Sequence, residues 1–212
     1  MQTDDFTVHI VDDEEAVRKS LAFMLTMNGL GVRVHETATT FATLAPNLRQ
    51  AILVTDLRMP DMSGVDLIRR IGAAGAAIPS IVITGHGDVP MAVEAMKAGA
   101  VDFIEKPFDD TVIIEAIRRA ASRLDATSPA SESAEEVRTR IETLSDRERQ
   151  VLAAVVAGQP NKAIAFTLDI SPRTVEVHRA NVMTKMKARS LPELVRMSLL
   201  INLAPAENQH RS

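Results

Sequence analysis

The sequence predicts a doubly wound parallel α/β sheet followed by a wholly helical domain, and three observations carry the prediction. Five short apolar runs alternate strictly with helix-period stretches across residues 7–124. A small, polar, Pro-bearing stretch at 125–133 (DATSPASES) interrupts the pattern and reads as a linker. Beyond it no strand signal returns, and two Ser-x-x-Glu capping patterns, at Ser133 and Ser145, announce helices. A chain of 212 residues is long for one compact α/β domain and comfortable for two small ones.

The predicted strands are 7–11, 32–35, 51–55, 80–84 and 101–105, and helical spacing of apolar residues falls at 15–28, 40–48, 65–73, 89–98 and 111–124. Strict alternation implies parallel strands, because each connection must cross a face of the sheet, and right-handed crossovers make the sheet doubly wound. In the helical part, Val137, Ile141 and Leu144 share one helix face, and further helices are predicted at 146–157, 160–168, 172–187 and 191–203. The predicted organisation is a sheet domain at 1–124, a partly helical linker at 125–140, a four-helix domain at 141–204 and a disordered tail at 205–212.

Composition narrows the function. No apolar run approaches the roughly 20 residues of a membrane span, and the N-terminus lacks the pattern of a signal peptide. The chain has no cysteine, which excludes disulfides and thiolate metal sites, and its five histidines are scattered without the pairing of a zinc site. A soluble cytoplasmic protein without a membrane partner is expected. Residues 1–124 carry 12 Lys and Arg against 17 Asp and Glu, whereas 141–203 carry 9 against 6. An acidic front and a mildly basic back suggest two jobs, and the acidic half is expected to mask the basic one.

Polar residues gather at one edge of the predicted sheet. The first strand runs into Asp12 and Asp13, the third into Asp56, the fourth ends on Thr84 and the fifth is followed by Lys106. In the flavodoxin-like order 2-1-3-4-5 the first and third strands are neighbours, and ligands bind outside the carboxyl ends of such strands. Each residue alone has an ordinary explanation: Asp12 and Asp13 as helix caps, Thr84 as an edge residue, Lys106 as a solvated turn. Together they describe a pocket in which Asp12, Asp13 and Asp56 hold Mg²⁺, Asp56 is a nucleophile, and Lys106 and Thr84 stabilise a phosphoryl group.

The motifs VDDEE, LVTDLRMPDMSG, VITGHGD and DFIEKPF, in that order over residues 5–124, resemble the receiver domain of two-component response regulators. The resemblance implies that Asp56 is phosphorylated by a sensor histidine kinase and that Thr84 and Lys106 sense the phosphoryl group. It also implies that Phe103 is a switch aromatic, that Arg58 and His86 tune phosphate lifetime, and that the Lys106–Pro107 bond is cis. Beyond its own phosphoryl transfer and autodephosphorylation, such a domain is no enzyme.

In the helical part, PNKAIAFTLDISPRTVEVHRANVMTKMK (160–187) reads as helix, turn, helix, with Ser171 as N-cap and Pro172 at the first helical position. Val175, His178, Val182 and Met186 fall on one inward stripe, with His178 expected as a hydrogen-bonded core residue. Arg173, Arg179 and Lys185 lie on the opposite side with the small Val177 and Ala180, a face suited to a DNA major groove. Together with LSDRERQVL, these residues are similar to the LuxR/NarL-type helix-turn-helix domain. That resemblance implies double-stranded DNA as a partner, with Arg173, Thr174 and Lys185 on phosphates, Glu176, Val177 and Ala180 facing bases, and Arg179 in either role. It further implies a transcription activator that dimerises on phosphorylation and works with RNA polymerase. Two other readings are a Mg²⁺-dependent aspartyl-phosphate phosphatase and a phosphorylation-dependent protein adaptor. The first is disfavoured because Arg58 stands where such phosphatases place a second acid. The second is tested by the salt dependence of DNA affinity.

Overall fold

The computed structural model describes residues 6–85, 88–124 and 133–201. The strands are β1 (Thr7–Val11), β2 (Gly31–His35), β3 (Ala51–Asp56), β4 (Ser80–Thr84) and β5 (Asp102–Glu105). The helices are α1 (Glu15–Met27), α2 (Ala38–Leu44), α3 (Gly64–Ala73), α4 (Val89–Lys97), α5 (Asp110–Ala121), α6 (Ala134–Glu142), α7 (Asp146–Val156), α8 (Asn161–Leu168), α9 (Pro172–Met186) and α10 (Leu191–Leu200). Contacts divide the chain into two units: Met1–Gly87 with Ala98–Pro129, and Asp88–Lys97 with Ala130–Ser212. The division thus groups α4 with the C-terminal helices.

In the first unit all five strands are parallel, in the expected order β2-β1-β3-β4-β5. β3 is central and every one of its six residues is buried, which explains its continuous apolar run AILVT before Asp56. Alternate residues Val8, Ile10, Ile52, Val54, Ile81 and Ile83 form one core with Leu21 and Leu25 of α1 and Ile113 and Ile117 of α5. α2 and α3 contribute the buried Phe41, Leu67 and Ile71.

Several element boundaries differ from expectation by a few residues, α5 for instance ending at Ala121 rather than 124, and one shift has a clear local cause. The helix predicted at 40–48 begins at Ala38, because the Thr37 hydroxyl caps it by accepting from the Thr40 N–H. It then tightens into a 3-10 turn over Ala45–Asn47, since Pro46 has no N–H with which to continue the α-helical ladder.

In the second unit both expected capping boxes are present: Ser133 with Glu136 opens α6, and Ser145 with Glu148 opens α7. Val137, Leu144, Leu152, Val156, Val182, Met186, Leu194 and Met197 form one core, and Val151, Val155, Ile164, Ala165 and Val175 a second. α8 ends on Asp169 in the left-handed conformation (φ 52°), and α9 starts two residues later behind the Ser171 cap and Pro172. Val175, Val182 and Met186 face inward as expected, but His178 is only half-buried and its Nδ1 finds no hydrogen-bond partner among the described residues. α10 ends at Leu200 rather than 203; the rest of that prediction, residues 125–132 of the linker and the predicted tail lie outside the described residues.

Two polar ties shape these units. His9 is 3% exposed, and its Nδ1 lies 2.9 Å from Nε2 of His35. Their rings stack with centroids 5.2 Å apart, and both rest against Phe41. Burial, reinforced by His35 and Arg33, lowers the pKa of His9 to about 4, and burial lowers that of His35 as well. In the second unit Lys185, near the end of α9, reaches Glu148 at the start of α7 (2.6 Å) and the Thr143 carbonyl (3.3 Å). Glu148 is 4% exposed and also accepts the Ser145 N–H, and the Lys185 hydrogen bond holds its carboxyl below the usual value.

A histidine with a depressed folded-state pKa stabilises the fold above its unfolded value, and that stability is lost as pH falls. Urea unfolding of the first unit should therefore weaken between pH 6.5 and about 4, by about 3 kcal/mol from His9, and His9→Phe should flatten that limb. Glu148 behaves likewise at lower pH, its contribution being lost as pH drops below 4.5. Glu148→Ala leaves the Lys185 ammonium unpaired and should cost ~1–3 kcal/mol near neutral pH, read from denaturant unfolding followed on amide signals of α7 and α9.

Candidate functional site

The carboxyl edge of the sheet brings three of the predicted residues into direct contact. Lys106, just after β5, places its Nζ 2.9 Å from Oδ1 of Asp56 and 3.2 Å from Oδ2 of Asp12. Asp12 is 1% exposed and Asp56 9%, so two carboxylates share one ammonium in a largely water-poor pocket. Burial raises the pKa of Asp12. Burial would lower that of Lys106, but its bonds to Asp56 and Asp12 outweigh it and hold the ammonium above the ordinary lysine value.

Each carboxylate is also fixed by the backbone. The Glu14 N–H donates to Oδ1 of Asp12 (2.8 Å), and the Arg58 N–H donates to Oδ2 of Asp56 (2.7 Å). Arg18 of α1 donates to the Asp12 carbonyl (2.6 Å), tying the β1–α1 turn to the helix. The loop after Asp56 folds back so tightly that the Gly64 N–H meets the Leu57 carbonyl at 3.0 Å. A Cβ at Gly64 would sit 2.3 Å from the Asp56 carbonyl oxygen, which explains a glycine at the start of α3.

The remaining predicted residues surround this triad to different degrees. Thr84 ends β4 and is 1% exposed, and its carbonyl accepts the Lys106 N–H at 2.7 Å. Phe103 is half-buried on β5, and the Arg58 side chain is exposed. The Lys106–Pro107 bond is cis, as the receiver resemblance implied. Asp13, next to Asp12, is exposed, and among the described residues no three acidic or histidine side chains form a ready metal group. His86 lies outside the described residues. The donor set nonetheless suits a hard divalent ion: two oxygen-bearing carboxylates carry one charge more than Lys106 neutralises, and Asp12 is desolvated.

On α9 the outward residues divide into two groups. Arg173, Glu176, Val177 and Ala180 are exposed, with Arg173 3.2 Å from Glu176. Thr174 meets the Ser171 hydroxyl at 2.8 Å and takes part in the helix cap. Arg179 and Lys185 are engaged: Arg179 donates to Oδ1 of Asn161 on α8 (2.7 Å), where burial lowers its pKa, and Lys185 is held by Glu148. Sequence reasoning missed Asn161 and Glu148 as partners. Glu148 was visible only as a capping residue, and a partner 37 positions away leaves no local signal.

Comparison with known proteins agrees with both halves. Residues 8–118 match the response regulator receiver domain family, and residues 142–198 match the LuxR family of bacterial regulatory proteins. The chain is 69% identical over 202 residues to the transcriptional regulatory protein FixJ of Rhizobium meliloti (strain 1021), covering 95% of this chain and 99% of that one. A crystal structure of FixJ-N shares 74% identity at a TM-score of 0.54, covering 57% of this chain and 95% of that one. Full-length FixJ from B. japonicum shares 45% identity at a TM-score of 0.55, covering 95% of this chain and 99% of that one. With a receiver pocket at one end and a LuxR-type helix pair at the other, the chain belongs to the FixJ-like two-component response regulators, which are transcriptional regulators.

Proposed function

We propose that this response regulator is a transcription activator switched by phosphorylation of Asp56, and the observation that carries the proposal is the Asp12–Lys106–Asp56 contact. An Asp56 oxygen attacks the phosphorus of a phosphohistidine; the new O–P bond forms as the P–N bond breaks, and the imidazole leaves with the kinase. Lys106 already pairs with Asp56 and offsets the arriving charge, while Thr84 supplies a directional hydrogen bond to the phosphoryl oxygens. Mg²⁺, held by Asp12, Asp13 and Asp56, would neutralise further charge there. Movement of Thr84 toward the phosphoryl group draws Phe103 inward, and Arg58 and His86 set how fast the group is lost by autodephosphorylation.

The readout is a homodimer that presents paired α9 helices to half-sites about one DNA turn (roughly 10 bp) apart. Arg173, Thr174 and Lys185 grip phosphates, Glu176, Val177 and Ala180 face bases, and Arg179 serves either role. The working units are a receiver at 1–124, a linker at 125–140 and a DNA-binding domain at 141–204, acting in the cytoplasm with RNA polymerase. The similarity to proteins named FixJ supports control of nitrogen-fixation genes under low oxygen, with a haem-bearing, FixL-like sensor kinase as phosphodonor.

Intact mass after incubation with Mg²⁺ and acetyl phosphate should show one added phosphoryl group on the wild type and none on Asp56→Asn, with a shift to dimer on a sizing column. An equal adduct on Asp56→Asn would refute the assignment. On the DNA side, Arg173→Ala should reduce the dependence of log affinity on log salt by about 1 per protomer, as expected for one lost phosphate contact. An unchanged slope in a titration from low to high salt would remove Arg173 from the phosphate-binding set.

A further inference from the structure

We infer that Asp61 is a positioning residue for phosphoryl uptake: its carboxylate fastens the loop carrying Arg58 to the first turn of α2. The inference rests on the reading of Asp56 as phosphoacceptor. Asp61 lies at the exposed tip of the 57–63 loop between β3 and α3, where a turn-forming aspartate would ordinarily need no partner. Its Oδ2 instead accepts both the backbone N–H and the hydroxyl of Thr39, each at 2.8 Å. Burial would raise the Asp61 pKa, but the Thr39 N–H and hydroxyl, with the neighbouring backbone N–H groups, outweigh it and hold Asp61 below the ordinary aspartate value.

Those N–H groups are the orphan donors of a helix start, where a negative charge is favoured. The local cap, Thr37, bonds the N–H and the hydroxyl of Thr40, one turn further on. Asp61 therefore completes the cap of α2 from 22 residues away, and α2 in turn becomes an anchor for the loop. At its other end the loop is closed by the Gly64-to-Leu57 hydrogen bond and by the Ser63 cap of α3.

Between these fixed points lie Arg58, Met59 and Pro60. Met59 is 8% exposed and Pro60 has a restricted φ, so a displacement at Asp61 is not absorbed locally. It reaches the Arg58 N–H, which holds Oδ2 of Asp56 while Lys106 holds Oδ1. With both oxygens held, the carboxylate has one orientation toward an incoming phosphorus. When acetyl phosphate is the donor, the Asp56 O–P bond forms as the acetyl O–P bond breaks and acetate leaves. Loss of the Arg58 donor leaves Oδ2 unheld and the carboxylate fixed only through Lys106 at Oδ1, and orientation of that kind is part of the rate.

The test follows intact mass of the full chain against time over a range of acetyl phosphate concentrations with Mg²⁺, together with the ¹H–¹⁵N signal of the Arg58 amide. Asp61→Ala should lower the saturating uptake rate by about fivefold to twentyfold with the half-saturating concentration changed less than about twofold, and should shift the Arg58 amide. Asp61→Asn keeps an oxygen for the Thr39 donors and should recover to within about twofold of wild type. Wild-type uptake by Asp61→Ala, or an Asp61→Asn as slow as Asp61→Ala, would overturn the role of Asp61. A wild-type chain that takes up no phosphoryl group would instead overturn the phosphoacceptor reading, and this inference with it.

Discussion

Two carboxylates from different strands share one ammonium at the carboxyl edge of the sheet, and the arrangement of the first unit follows from making that contact possible. Asp12 and Asp56 meet because β1 and β3 are neighbours in a parallel sheet and are in register, with Val11 opposite Thr55. Lys106 arrives from β5, two strands away, and must pass the end of β4 to reach them. A buried carboxylate pair without a cation would be strongly disfavoured. Lys106 removes most of that penalty but not all of it, because two negative charges face one positive. The residual charge gives a hard cation a reason to bind. The ammonium would give a phosphoryl group, if Asp56 carries one as proposed, a partner already in place.

On α9 a different constraint operates. Its inner stripe is short, with Val175, Val182 and Met186 supplying the buried contacts. Apolar packing is supplemented by polar ties at two heights: Arg179 to Asn161 of α8, and Lys185 to Glu148 of α7. These ties set the helix's rotation, and so decide that Arg173, Glu176, Val177 and Ala180 point away from the protein. The cations that orient the helix are thus partly distinct from those free to meet a ligand.

Much of this was legible in the sequence because the signals are local. The alternation of apolar runs with helical periodicity gave the five strands in order, Ser133, Ser145 and Ser171 each capped the helix they announced, and the strand ends marked Asp12, Asp56, Thr84 and Lys106. What the sequence hid is long-range and polar. Nothing near Glu148 reveals Lys185, nothing near Asp61 reveals Thr39, and His9 and His35 looked like two scattered histidines rather than a stacked pair. Asp12 and Asp13 are adjacent in the sequence, which does not reveal that Asp12 is buried and Asp13 exposed.

Both ends of the chain hold their cations against internal anions or dipoles, and the strength of each hold determines what an incoming phosphate can take. Arg173 and Glu176 form an exposed pair three residues apart on one helix, worth at most about 0.5 kcal/mol. On the proposed reading a DNA phosphate would compete with that pair easily, and its approach would free Glu176 to accept from a base edge. Lys185 is held by a carboxylate that is itself buried and bonded to the Ser145 backbone, so withdrawing it would strand Glu148. A phosphate bound there as proposed would therefore meet Lys185 through donors that Glu148 leaves over, not through its release. The same comparison orders the receiver pocket. Lys106 would not need to leave Asp56 if that carboxylate became an acyl phosphate as proposed, because the negative charge would move outward onto the phosphoryl oxygens while Lys106 already stands 2.9 Å from Asp56. In both halves the tightly held cation positions the surface, and on the proposed reading the ligand's charge would be met by the donors that the internal anions do not use.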